Sequence, residues 1–210
     1  MDNILFRKAQ ERDIPMLVRL HENCMGETEM SNKLGSVFIE AFYRQITNHS
    51  TSEINIAEKG GQIFCFSIAF NDYFTFTKNI NKTFLQVLLK VLVRSPMEFI
   101  EKTGILLQYL FRNSKKPDIP KGMFDFHLGV MVLDPEFSKQ PAYVNSFIKV
   151  FQQSISFLKN HKCGYWTSAY ASNEKATNFI RNFARPNYEI VIPSYPEDKI
   201  YFCHMEGESA

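Results

Sequence analysis

The sequence has little net charge, no long apolar run and no paired cysteines, and each absence removes a class of protein. A formal charge of +2 over 210 residues is too small for a polyanion-binding surface, so neither nucleic acid nor membrane is an expected partner. The longest apolar run, Phe84 to Val93, is interrupted by Gln86 and Lys90 and falls far short of the ~20 residues a spanning helix needs. Met1 to Arg7 carries an acidic residue at its second position and no apolar h-region, so these residues do not read as a signal peptide. Cys24, Cys65, Cys163 and Cys203 are widely spaced, with no C-x-x-C pair; they read as buried thiols of a protein in the reducing cytoplasm. No two histidines stand at i, i+4 and no His/Cys cluster has zinc spacing, so no metal site is expected. The Gly-Gly pair after Lys59 lacks the helix and Lys-Ser/Thr of a P-loop, and no G-x-S-x-G elbow occurs.

Bulky apolar material is abundant. Hydrophobic residues make up 45% of the chain, with 20 Phe and 9 Tyr, which suffices for one core and a single domain over residues 1–210. Asn3 to Lys8 reads as a strand. Asp13 is placed to cap a helix with Pro15 in its first turn, and a second helix after Gly26 carries Leu34, Val37, Phe38, Ala41 and Phe42 on one face. Glu53–Glu58 and Gln62–Phe70 flank Lys59-Gly60-Gly61, a strong hairpin signal. Met123–Leu133 reads as a strand, 142–160 as a helix, 164–169 as a strand, 172–183 as a helix, and 188–192 and 199–205 as the last two strands.

Between the hairpin and the strand ending at Leu133 lies a helical insertion at about 78–112, divided by Ser95-Pro96. Its first half is apolar around most of its circumference. Such helices bury each other and one sheet edge, or else form a wall over a substrate pocket or a homodimer surface.

Two segments carry a family resemblance. His127-Leu-Gly-Val-Met-Val-Leu-Asp-Pro-Glu-Phe137, followed by a helix, and Tyr170-Ala-Ser-Asn173-Glu-Lys-Ala-Thr-Asn-Phe179 resemble the central strand and the later strand-to-helix junction of the GNAT acetyltransferases. The resemblance implies an α/β fold with a GNAT-like mixed, mostly antiparallel sheet flanked by helices, the helical insertion falling between the third and fourth strands. It implies acetyl-CoA as co-substrate. The central strand would splay from its neighbour, and the backbone of Met131, Val132 and Leu133 would pair with pantetheine as though it were a strand. Asn173 would reach the pantetheine arm, and Lys139, Gln140, Ala142, Tyr143 and Val144 would hold the pyrophosphate at a helix N-terminus.

The chain departs from the family pattern in two places. Where the family has R/Q-x-x-G-x-G/A, this sequence has Ser138-Lys-Gln-Pro-Ala-Tyr-Val144. No glycine lets backbone approach phosphate closely, and Pro141 supplies no N–H. Ile180 stands where many members carry a tyrosine that protonates the departing CoA thiolate; Tyr188 or Tyr170 could take that role by position. His127 is the candidate general base, because relatives often carry Glu at its place on the strand and imidazole titrates in the useful range. Alternation puts His127 on the face of Gly129, Met131 and Leu133. The expected function is acetyl-CoA-dependent N-acetylation of a primary amine on a small molecule, such as an amino sugar. The alternative is a catalytically inactive GNAT-like binding or assembly module.

Overall fold

The hairpin around Gly60-Gly61 sets the centre of the sheet. Both glycines have positive φ, 57° and 81°, a conformation that side chains resist, and they join β2 (Ser52–Lys59) to β3 (Gln62–Phe70). A computed structural model describes residues 3–26, 29–112, 125–158, 164–193 and 197–205. Within them the chain runs β1 (Leu5–Lys8), α1 (Ile14–Cys24), α2 (Met30–Leu34), α3 (Ser36–Thr47), β2, β3, α4 (Tyr73–Arg94) and α5 (Pro96–Arg112). It continues with β4 (His127–Leu133), α6 (Pro141–Leu158), β5 (Tyr165–Tyr170), α7 (Glu174–Phe183), β6 (Tyr188–Ile192) and β7 (Lys199–His204). The strands form one seven-stranded sheet in the order β1-β2-β3-β4-β5-β7-β6. Every pairing is antiparallel except β4 with β5.

Helices cover both faces. On the front, α1, α3 and the start of α4 bury Leu17, Tyr43, Phe76 and Ile80 against Ile56, Phe66 and Ile68. On the back, α6 and α7 bury Phe151, Ile155 and Ile180 against Leu128, Tyr165 and Phe202, while Tyr143, Phe147 and Val150 pack on Phe64 and Cys65. The α4–α5 pair lies against α2 and α3 through Leu34, Phe38, Val87 and Leu88.

Several expectations from the sequence need correction. Asp13 makes no cap hydrogen bond to α1. Its carboxylate instead takes two bonds from the Arg7 guanidinium, at 2.6 and 2.9 Å, and one from the Gln10 N–H at 2.7 Å. The expected second helix is two, α2 and α3, broken at Gly35, whose φ of 90° does not continue a helix. The insertion begins at Tyr73 rather than 78, because Asp72 accepts the Thr75 N–H and caps α4 there. Cys163 and the segment 113–124, including the expected strand start at Met123, lie outside the described residues.

The fourth correction shapes the site. On β3, Ser67 and Ala69 are two positions apart, yet they pair with Met131 and Leu128, which are three apart. The surplus residue makes a β-bulge at Gly129-Val130, and alternation fails across it. Val130 and Val132 pack toward the front helices, and a Cβ on Gly129 would meet the Phe70 ring, also a front residue, at 2.9 Å. Leu128, Met131 and Leu133 face the back. His127, against Phe70 and Tyr73, therefore shares its face with Val130 and Val132, not with Met131 and Leu133.

Candidate active site

Past the bulge, β4 has a paired edge and an open one. Met131, Val132 and Leu133 pair with Ser67, Phe66 and Cys65 of β3. On the other side, β4 and β5 share a single register pair among the described residues, His127 with Trp166, reinforced by the Trp166 N–H donating to the Phe126 carbonyl at 3.0 Å. Beyond that point the strands part. A cavity of about 350 Å³ fills the gap, lined by residues 129–133 of β4, Ser168–Tyr170 of β5, Cys24 and Glu29 from the front, and Asn173 and Ile180 from the back. Because its lining comes from both faces, the opening passes through the sheet. The Cys24 thiol lies 3.8 Å from the Leu133 carbonyl and occupies it weakly; burial pushes that thiol up to about 11, so it stays protonated.

The slot meets the N-terminus of α7, where Asn173 is the cap. Its side-chain oxygen accepts the Ala176 N–H at 3.0 Å, and the residue lines the cavity. The segment 134–140 leads to the N-terminus of α6. There the N–H groups of Tyr143 and Val144 donate to the Gln140 carbonyl at 3.1 and 3.2 Å, and the Gln140 N–H donates to Phe137. Three of the five residues expected to hold pyrophosphate thus have their backbone donors engaged. Among the described residues, the N–H groups of Lys139 and Ala142 are left for a ligand. The Tyr143 ring does not obstruct the slot: it turns into the back core, 4.8 Å from Phe64 and 4.6 Å from Phe137 by ring centroids, and its hydroxyl accepts from Lys59 at 3.1 Å.

Of the two expected catalytic residues, one is at the slot. His127 lines it where the strands close, its ring stacked on Trp166 at 3.9 Å. Burial, with Lys199 nearby, pushes its pKa down to about 3, so the imidazole is neutral at physiological pH. Its Nδ1 is buried with no hydrogen-bond partner among the described residues, although buried polar atoms normally have one. Tyr188 is not brought to the cavity. It packs against Trp166 and Cys203.

The structure adds a polar cluster that motif reading missed. Glu29, between α1 and α2, accepts from the Tyr170 hydroxyl at 3.1 Å, and the Lys199 ammonium lies 4.7 Å over the Tyr170 ring. Burial raises the Glu29 carboxyl above its usual range, against the pull of Lys199 and Tyr170. Burial also lowers Lys199, against the pull of Glu29. All three line the slot. A charge on a strand face that otherwise carries Tyr201, Cys203 and Met205 was the available signal for Lys199. Glu29 sits in a short inter-helix loop, and nothing local marks it.

A mixed sheet whose two parallel central strands part at a bulge, with the helices α6 and α7 starting beyond their C-terminal ends, is the GNAT fold. Solved structures agree. A GNAT-family protein from Desulfovibrio desulfuricans superposes with a TM-score of 0.57 over 97% of this chain and 99% of its own, at 8% identity. An N-acetyltransferase from Staphylococcus aureus gives 0.56 over 96% and 97%, at 11% identity. An aminoglycoside N-acetyltransferase in complex with CoA gives 0.54 over 91% and 93%, at 11% identity. No family model matches the sequence, and no curated protein matches it. The chain is thus similar to these proteins in fold, at identities where sequence comparison is silent.

Proposed function

We propose that the chain transfers an acyl group from acyl-CoA to the primary amine of a small molecule. The observation that carries this reading is the open edge of β4 from Gly129 to Leu133, facing β5 across the cavity. Unpaired strand edges are costly and usually covered; an extended pantetheine arm with amide donors and acceptors matches this one. Acetyl-CoA, the donor expected from the sequence, is the smallest thioester the slot would take. The solved neighbour with CoA in complex supports CoA as carrier.

In the reaction, the amine nitrogen attacks the thioester carbonyl, a C–N bond forms, the C–S bond breaks, and CoA leaves as its thiolate. Glu29 is better suited than His127 to take the ammonium proton. A carboxylate raised by burial is a stronger base than usual, whereas an imidazole at about 3 lies roughly 7 pK units below an alkylammonium, or roughly 10 kcal/mol uphill. His127 serves instead as a neutral group at the closed end of the slot. The thiolate, with a pKa near 8.5 in general, needs little acid; Tyr170 is the hydroxyl at hand, and buried Ile180 has none to give.

The glycine-free loop favours one second reading, a catalytically inactive GNAT-like binding or assembly module that does not bind CoA. A thermal-shift titration separates the two. If CoA binds with a Kd near 10 µM, 1 mM ligand stabilises the fold by about 2.7 kcal/mol. Absence of any shift at that concentration removes the transferase reading.

A further inference from the structure

A second cavity, of about 530 Å³, opens off the first on the front side and shares His21, Ser31, His127, Gly129 and Val130 with it. The rest of its wall is almost wholly apolar: Phe38, Ile39 and Phe42 from α3, and Phe76, Ile80 and Phe84 from α4. Among the described residues, no Asp, Glu, Lys or Arg lines it. The insertion thus walls a pocket, and the pocket begins at the bulge, where the slot ends.

We propose that this cavity receives the acyl chain of the donor, so that the favoured thioester carries a medium-length straight acyl chain rather than acetyl. The proposal rests on the acyl-CoA reading above. Covalent continuity sets the occupant. A pantetheine arm lying along residues 131–133 brings its thioester to Gly129-Val130, and whatever is bonded to the carbonyl carbon beyond that point meets the apolar chamber. The acceptor has the other compartment, where the Glu29 carboxylate, held by the Tyr170 hydroxyl, offers the negative charge an ammonium requires. An ammonium placed in the apolar chamber would lose its hydration with no carboxylate to replace it. The chamber's size falls within the range of small-molecule pockets, roughly 300–1,000 Å³, and its aromatic lining suits an alkyl chain. The absence of side chain at Gly129 keeps the passage open, since a Cβ there would already touch the Phe70 ring.

The test is a binding series on the full chain with CoA, acetyl-, butyryl-, hexanoyl- and octanoyl-CoA, read by calorimetry. Hexanoyl-CoA is expected to bind at least about tenfold tighter than acetyl-CoA, given what burying several methylenes contributes. Thr77→Phe, which places a ring in the chamber from a half-buried position, is expected to erase that gain while acetyl-CoA serves as the internal reference; Asn81→Phe on the same helix is a second such variant. Acetyl-CoA binding with no gain from longer chains overturns the inference and leaves the transferase reading standing. The same holds if the gain survives both variants, or if it follows the length of an alkylamine acceptor instead. Failure of every CoA species to bind overturns both.

Discussion

His127 and Trp166 are register partners, the one such pair between β4 and β5 among the described residues, and their rings stack 3.9 Å apart with 23° between planes. The pair is the hinge of the slot: on one side the strands are joined, on the other they diverge. Trp166 is also buried against Tyr73, Tyr188 and Cys203, so it ties α4 and β7 to that point. Trp166→Ala is expected to cost about 3–5 kcal/mol by leaving a cavity, a fall in Tm of roughly 10 °C for a chain of this size. Calorimetric melting checks this, and a drop below a few degrees would show that the hinge is held elsewhere.

The base assignment has its own signature. Glu29→Gln is expected to lower kcat/KM by roughly 10²–10⁴ while leaving CoA affinity within about twofold. Tyr170→Phe removes a hydrogen bond that holds the Glu29 carboxyl down, so the acidic limb of the pH–rate profile should move to higher pH. A limb that moves down, or full turnover by the Gln variant, would dismiss Glu29.

Acid should destabilise the fold before carboxylates titrate. His21 is buried, hydrogen-bonded to Tyr43 and Ser31 at 2.8 Å each, and its pKa is pushed down to about 4 by burial. In the unfolded chain it titrates near 6.5. Between those values the unfolded state binds more protons, so stability is full above pH 6.5 and falls as pH drops toward 4, by about 1.4 kcal/mol per unit for each such histidine. His127, at about 3, acts in the same sense, while Glu29, raised, opposes it. Comparing urea midpoints of the wild type and His21→Gln from pH 7 to 5 isolates the His21 share; parallel curves would refute it.

Asn173 combines two roles that substitution can separate. Asn173→Ala loses the cap on α7, at a cost of about 1 kcal/mol, and the amide donor with it. Asn173→Asp keeps a capping oxygen, loses the NH₂ and adds a negative charge. The Asp variant is therefore expected to melt like the wild type yet bind CoA several-fold more weakly. Equal CoA affinity for Asp and Asn would mean that the amide does not face the ligand.

How much of this was legible in the sequence depends on whether the deciding interaction is local. The Gly60-Gly61 hairpin and the strand 188–192 were readable because turn chemistry and alternation act within a few residues. The splay beside 131–133 was expected only through the family resemblance, and the structure places the open edge there. The bulge was invisible, since it is a relation between β3 and β4 that neither strand carries alone. Its invisibility reversed the facing of His127 relative to Met131. Glu29 and Lys199 are 170 positions apart along the chain and become a cluster only once α1–α2 and β7 converge on Tyr170. The Asp13 cap failed for a similar reason: Arg7, presented by β1, outcompetes the helix for the carboxylate.

The bulge at Gly129-Val130 also makes the slot a matter of arithmetic. β4 spends one more residue than β3 to cover the same span, and side-chain chemistry alone cannot restore the count. Loss of a single codon there does so: one of the two consecutive front-facing residues goes, Val132 stays on the front, Met131 and Leu133 stay on the back, and β4 runs in phase with β3. Evolution can vary the lining of this opening freely by substitution, but it can abolish or create it in one step by insertion or deletion.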